Sequence, residues 1–287
     1  MAVFIRFEPT LNQKSVQNKS EVIMQQNRIH RRNLLAGILG AVAALGLGQP
    51  VPAAEKQGQE YYELRTYRIA NEQNQKVVSD YLEQALMPAL NRAGIKKVGV
   101  FKEIDAKDDY SLYMLIPFQS LNQLASLNDK LEADKAYHAA AASYFAIPKK
   151  DAPYSRIESR LMKAFKGMPI LETPKGKGPN LFELRTYESH NAKLARLKVD
   201  MFNSGEIDIM RDVLLAPVFY GEMLIGDDVP NLTYMLSAPN REAHEKHWEG
   251  FRKHPEWDRM KKMDKYKGTV SKITNWYLEP LPYSEIQ

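Results

Sequence analysis

The sequence predicts an α+β protein built from two tandem ferredoxin-like βαββαβ units, whose two antiparallel sheets pack into one intramolecular α/β barrel. Three observations carry this expectation. The string Glu-Leu-Arg-Thr-Tyr occurs twice, at 63–67 and 183–187, each time behind an aromatic residue (Tyr62, Phe182). A similar spacing continues beyond it, setting Gly99 against Gly221, Tyr113-Met114-Leu115 against Tyr234-Met235-Leu236, and Tyr137 against Trp257. Self-similarity at a fixed period marks a duplicated structural unit. Each copy also runs through strand-like and helix-like patterns in the order βαββαβ. That order is the split βαβ arrangement, with both helices on one face of a four-stranded sheet. The bare faces of two such sheets cover each other when the sheets close into a barrel.

The elements follow from periodicity. Residues 61–68 alternate and carry Tyr, Leu and Thr, a strand pattern. Residues 75–92 place Val77, Val78, Tyr81, Leu82, Ala85 and Leu86 on one helical stripe, with Pro88 expected to bend or start its last part. Residues 97–104 and 110–117 predict a strand pair around the turn Asp-Ala-Lys-Asp-Asp, residues 120–145 a helix, and residues 154–164 a closing strand. The second copy predicts strand 181–188, helix 191–212, strands 217–225 and 231–238, helix 240–264 and strand 269–279. The units are therefore expected at 60–165 and 181–280, joined by a Gly- and Pro-rich linker at 166–180.

The first 53 residues have a different character. Arg31-Arg32 precedes an apolar run from Leu34 to Gly48, followed by Pro and small residues. This is the layout of a secretory signal, and the arginine pair with its Gly- and Ala-rich centre resembles a twin-arginine export signal. Residues 1–53 are expected to be a leader, with the signal proper at roughly 24–53, Met24 as the true start and cleavage after Ala53. The apolar centre is short for a transmembrane helix, which needs about 20 residues. An exported, periplasmic or secreted chain with no stable membrane span after cleavage is the expectation.

The formal net charge of +5 belongs to this leader, which holds six of the 40 Lys/Arg but only two of the 35 Asp/Glu. The nearly neutral remainder argues against nucleic acid as a partner. The chain has no cysteine, which excludes disulfides and thiol chemistry.

Candidate site residues come from the repeated strand. Side chains alternate along it, so Glu63, Arg65 and Tyr67 share one face, as do Glu183, Arg185 and Tyr187. Tyr62, Leu64 and Thr66 are expected to pack under the helices, and the polar set to face the other unit's sheet. Two readings follow for the polar set. The Glu–Arg pairs lock the sheets in register, or they form a ligand site in which arginine binds an anion and tyrosine donates a hydrogen bond. Trp248 and Trp257 either pack their helix or line a pocket for an apolar or aromatic ligand.

His244 and His247 share a helix side and His254 lies near the helix end. No third ligand completes a metal set, so exposed or helix-capping roles are expected. His190 and His247 are the candidates for a haem ligand. No nucleophile–base order and no phosphate loop appear, so no catalytic residue, metal or cofactor is assigned. The expected partner is a small apolar or anionic ligand, with assembly of copies through edge strands left open.

The aromatic-Glu-Leu-Arg-Thr-Tyr strand, the tandem unit, and the strings Trp248-Glu249-Gly250-Phe251 and His254-Pro255-Glu256-Trp257 together resemble the NIPSNAP family. The resemblance spans roughly 60–280 and is better in the second copy, since the first has Asp134-Lys135 where His254-Pro255 stand and Tyr137 where Trp257 stands. It implies membership of the dimeric α/β-barrel superfamily, which contains cofactor-free monooxygenases, haem enzymes and non-catalytic binding modules. A binding module is the first functional expectation, and a cofactor-independent oxygenase or isomerase is the alternative.

Overall fold

The computed structural model describes residues 58–175 and 180–287. The expected leader, its cleavage site and the alternative start lie outside the described residues, as do residues 176–179 of the linker.

Two βαββαβ units follow one another. The first has β1 (Tyr61–Arg68), α1 (Glu72–Tyr81), a π-helical turn (Leu82–Leu86), α2 (Met87–Arg92), β2 (Gly99–Glu103) and β3 (Leu112–Phe118). It continues with α3 (Leu121–Ala125), α4 (Leu127–Ala133), α5 (Lys135–Phe145) and β4 (Arg156–Ala164). The second has β5 (Leu181–Glu188), α6 (Ala192–Met201), a π-helical turn (Phe202–Glu206), α7 (Ile207–Asp212), β6 (Ala216–Ile225) and β7 (Asn231–Ala238). It closes with α8 (Arg241–Lys253), α9 (Pro255–Met260) and β8 (Lys272–Pro280).

The helix expected at 120–145 is broken at Ser126 and Asp134 and that expected at 240–264 at His254, and at Asp134 and His254 a side chain caps the new start. Asp134 accepts from the backbone N–H of Ala136 and Tyr137, and His254 Nδ1 accepts from that of Glu256. Such caps satisfy N–H groups that have no partner inside the helix. The two caps sit at the same place in their units, so Asp134-Lys135 and His254-Pro255 are the same device written in different residues.

The eight strands form one closed barrel in the order β1-β3-β2-β8-β5-β7-β6-β4, every neighbour antiparallel where paired. Within each unit the Glu-Leu-Arg-Thr-Tyr strand is one of the two central strands, and the two seams between units are β2–β8 and β4–β6. Closure leaves no free strand edge among the described residues for edge-to-edge assembly of copies.

The ladder register corrects part of the repeat. Arg65 lies opposite Met114, and Arg185 opposite Tyr234, so Met114 and Tyr234 are equivalent and the two Tyr-Met-Leu strings are one residue out of step. A one-residue slip moves a side chain to the other face. Tyr113 accordingly faces the barrel interior, whereas Tyr234 packs on the helix side. Gly99 pairs with Leu115 and Gly221 with Thr233, so the two glycines are not equivalent either. The place of Gly99 is taken in the second unit by Phe219, and the place of Phe101 by Gly221.

The face assignment made from the sequence is inverted. Tyr62, Leu64, Phe182 and Leu184 point into the barrel with Phe101, Phe219 and Leu278. Tyr62 and Phe219 rings from different units lie 5.2 Å apart, and those of Phe101 and Phe182 lie 4.9 Å apart. Tyr67 and Tyr187 instead pack against the helices. The physical reason is closure. The interior is sealed by eight strands, where an uncompensated polar group is costly. The helix side offers polar partners on the helices and an opening to solvent. The Glu–Arg pairs therefore do not lock sheet to sheet.

Residues 165–171, where the first unit runs into the linker, pack into the fold more closely than their composition suggests. Phe165 and Met168 pack on the helix side of the second unit, and Leu171 enters the barrel. The backbone N–H of Leu171 donates to Glu60 Oε2 at 2.7 Å.

Candidate functional site

β5 lies between β7 and β8 and presents Glu183, Arg185 and Tyr187 to the helices. Glu183 is fully buried, and four groups fill its acceptor positions. Arg185 Nη1 donates to Oε1 at 2.5 Å and Asn275 Nδ2 donates to the same oxygen at 3.2 Å. Trp248 Nε1 donates to Oε2 at 2.8 Å, and His244 Nε2 lies 2.7 Å from Oε2. The tautomer protonated at Nε2 satisfies that contact. Trp248 Nε1 also lies 3.0 Å from His244 Nε2, but with that nitrogen protonated the indole proton goes to the carboxylate. Burial pushes the Glu183 carboxyl up. The hydrogen bond from His244 and the charge of Arg185 outweigh it, and the carboxyl is held below the ordinary value.

A second ion pair lies on the adjoining helix. Lys198 of α6 donates to Glu206 Oε2 at 2.7 Å, and both side chains are almost wholly buried. Residues eight apart in a regular α-helix are about 80° out of line. The wider π turn between them brings both to one side, and π turns recur at functional sites. The turn includes Gly205 at φ +147, a conformation open only to glycine. Burial raises the Glu206 carboxyl, and the Lys198 charge beside it opposes that shift without cancelling it. The Lys198 ammonium sits 4.7 Å from the ring centre of Phe202 and 5.5 Å from those of Tyr187 and Trp257.

These groups line one open pocket of about 640 Å³ between sheet and helices. Its walls include Glu183, Arg185, Tyr187, Lys198, Glu206, Trp248, Phe251, Trp257, Ile273 and Tyr277, with Glu245, Glu249 and Arg252 also contributing. Such a volume suits a small organic ligand. Arg185 stacks over Trp248 at 4.7 Å.

The pocket gathers five of the eight predicted site residues: Glu183, Arg185, Tyr187, Trp248 and Trp257. The other three belong to the first unit. Glu63 and Arg65 line a smaller pocket of about 320 Å³, and Tyr67 is buried under the helices. In the first unit Arg65 Nε donates to Glu63 at 2.9 Å, and Ser159 takes the place of Asn275.

Lys198 and Glu206 were missed because a lone Lys and Glu in a helix read as solvated charges. His244, expected to be exposed or capping, is instead fully buried behind Glu183. The unit comparison held the available signal. At an offset of 120 residues Lys198, Glu206 and His244 correspond to Val78, Leu86 and Leu124, positions on the apolar stripes of the first unit. Polar residues in those slots are out of pattern. Of the remaining histidines, His190 is exposed and His247 half-buried, and neither lines the pocket. Among the described residues no cluster of three or more His, Asp or Glu has the arrangement of a metal site.

A closed barrel of two ferredoxin-like halves, with a pocket between sheet and helices, places the protein in the dimeric α/β-barrel class, here with both halves in one chain. Two solved structures share this fold over most of their length. A proposed monooxygenase from Lactobacillus acidophilus NCFM is 12% identical over 77% of this chain and 93% of its own, with a TM-score of 0.53. One from Fusobacterium nucleatum is 8% identical over 78% of this chain and 93% of its own, at 0.51. A NIPSNAP family protein from Agrobacterium tumefaciens is 17% identical over 38% of this chain and 94% of its own, at 0.34. More specifically, residues 182–285 match the NIPSNAP family model, so the second unit carries that family's sequence signature. No curated protein matches the chain.

Proposed function

We propose that the chain is a small-molecule binding protein whose ligand occupies the pocket of the second unit. One observation carries this reading. The two units share a fold, yet only the second sets a buried Lys–Glu pair and a buried histidine where the first has Val78, Leu86 and Leu124. Replacing a buried ion pair by packed apolar groups is commonly neutral or stabilising. The fold therefore gains little from these charges, and a ligand supplies the reason for them. The aromatic walls favour a ligand with an apolar or aromatic body. The cations Arg185 and Lys198 favour an oxygen-bearing polar group. The ring faces of Trp248 and Trp257 are already approached by these cations, which disfavours a cationic ligand. The likeness to proposed monooxygenases concerns the fold alone.

Trp248 and Trp257 are two of the chain's three tryptophans, so occupancy is readable by fluorescence. Titration with aromatic carboxylic and 2-oxo acids is expected to give saturable quenching. At 100 times Kd the ligand should add about 2.7 kcal/mol of stability. Trp248→Ala should weaken binding at least tenfold. A flat titration across such acids, with no ligand carried through purification by native mass spectrometry, sinks the reading.

Export belongs to the same proposal. It is supported by Arg31-Arg32, the apolar run Leu34–Gly48 and the small-residue exit at Ala53. Intact mass of the mature protein should correspond to a chain starting at Ala54; a mature chain that keeps Met1 refutes it.

A further inference from the structure

The pocket contains two buried carboxylates in opposite situations. Both oxygens of Glu183 are taken by four donors, among them Arg185, Trp248 and His244, so it has little capacity left to accept a proton. Glu206 has one side-chain donor, Lys198, and lies among aromatic walls. Lys198 has three N–H bonds. One goes to Glu206 and a weak one to Met201 Sδ at 3.5 Å, leaving one for a ligand oxygen. When the environments of two neighbouring acids push their proton affinities apart, the one held protonated longer is suited to proton transfer. Glu206 is that one, because burial outweighs the opposing charge of Lys198.

We infer that Glu206 is a catalytic acid–base residue, and that the second-unit pocket takes an enolisable carbonyl compound with an aromatic body and moves a proton within it. This rests on the pocket being a small-molecule site. In the forward step the Glu206 carboxylate takes a proton from the carbon next to the carbonyl. The C–H bond breaks, an O–H bond forms on Glu206, and the electron pair moves to the carbonyl oxygen as an enolate. The third N–H of Lys198, on the wall of the same pocket, is the donor that stabilises that oxygen. Returning the proton to the enolate oxygen or to another carbon restores the carboxylate. The sequence is an isomerisation that consumes no oxidant, reductant or water. Glu183 stays ionised throughout and fixes Arg185 beside the substrate. His244 is a positioning residue that holds Glu183.

Phenylpyruvate is a suitable probe, because its acidic CH2 lies between an aromatic ring and a carbonyl and its carboxylate suits Arg185 or Arg252. Loss of its CH2 proton signal in D2O is followed by NMR, with binding followed by tryptophan fluorescence on the same samples. The full-length protein is expected to bind the probe saturably and to speed exchange at least tenfold over buffer. Glu206→Gln should lower that acceleration at least tenfold while binding stays within threefold. The double variant Lys198→Val/Glu206→Leu copies the first unit. It should fold with an equal or higher melting temperature and exchange at the buffer rate. Saturable binding with no exchange above buffer overturns the inference and leaves the binding reading standing, as does full exchange in the folded double variant. Absence of phenylpyruvate binding overturns the inference, and the binding reading falls with it when the other aromatic acids also give flat titrations and no ligand co-purifies.

Discussion

Glu183 and Arg185 show what a buried ion pair needs. Each Glu183 oxygen accepts two hydrogen bonds, which keeps a fully buried carboxylate ionised. Glu183→Gln leaves Arg185 and His244 buried without a charged partner and should cost about 3 kcal/mol near neutral pH. The sign with pH follows from the lowered value of the folded carboxyl. Its stabilisation is fully present above the ordinary carboxyl value. It fades as pH falls through the lower folded value. The stability gap between wild type and Glu183→Gln should therefore be widest near pH 7 and narrow from about pH 4.5 downward. Denaturation of both proteins across that range checks it, and a gap that widens toward acid contradicts the assignment. His244, Lys198 and Glu206 were illegible as site residues in the second unit taken alone, for a physical reason. Their burial is decided by which helix face meets the sheet, and a single copy of a polar residue carries no record of that.

At the scale of elements, the π turns matter most. Both units have one at the same place, Leu82–Leu86 and Phe202–Glu206, inside what the sequence presents as one helix. Periodicity locates the helix, because its apolar stripe survives, but a single inserted residue is too small a change in phase to register. The first unit builds its turn with Ala85, the second with Gly205 at φ +147. A Cβ on Gly205 would meet Met260 Sδ at 3.3 Å and force a strained backbone. Gly205→Ala should destabilise by about 1–2 kcal/mol. It should also slow the proton exchange of phenylpyruvate by shifting Glu206, the proposed base. Denaturation combined with the exchange measurement in D2O tests this, and unchanged values in both would mean the turn tolerates a side chain. The strands were the more legible elements. β1, β5 and β7 match their expected bounds, since alternation with Tyr, Leu and Thr is unambiguous over eight residues.

For the whole molecule, the seams between units decide stability. Gly221 lies on the β4–β6 seam opposite Ala164. A Cβ there would come within 2.8 Å of Met162 Cβ, an atom fixed to the backbone. Gly221→Val should cost about 3 kcal/mol by overpacking. It should loosen this seam in particular, seen as faster amide exchange in β4 and β6 than in β1 and β3. Equal exchange in all four strands would argue against a local seam defect. The duplication explains why such a seam exists at all. Each ferredoxin-like sheet has two edges and one bare face, and its own copy satisfies both.

The sequence by itself determined the duplication, the βαββαβ order and the closure of two sheets into a barrel. These rest on local periodicity and on the repeat, both written along the chain. It also singled out Glu183, Arg185, Tyr187, Trp248 and Trp257, together with Glu63, Arg65 and Tyr67, as candidates, without saying which of them meet. Only the tertiary structure decided which face they occupy. Alternation states that Glu183 and Leu184 point opposite ways, but not which way is inward. That choice depends on the sealed interior excluding unpaired charge and on the helices of the same unit bringing His244 and Trp248 to Glu183. Tertiary packing also decided that the two units differ in kind. Lys198 and Glu206 meet only because a π turn rotates one onto the other, over a sheet that the equivalent Val78 and Leu86 cover with hydrocarbon.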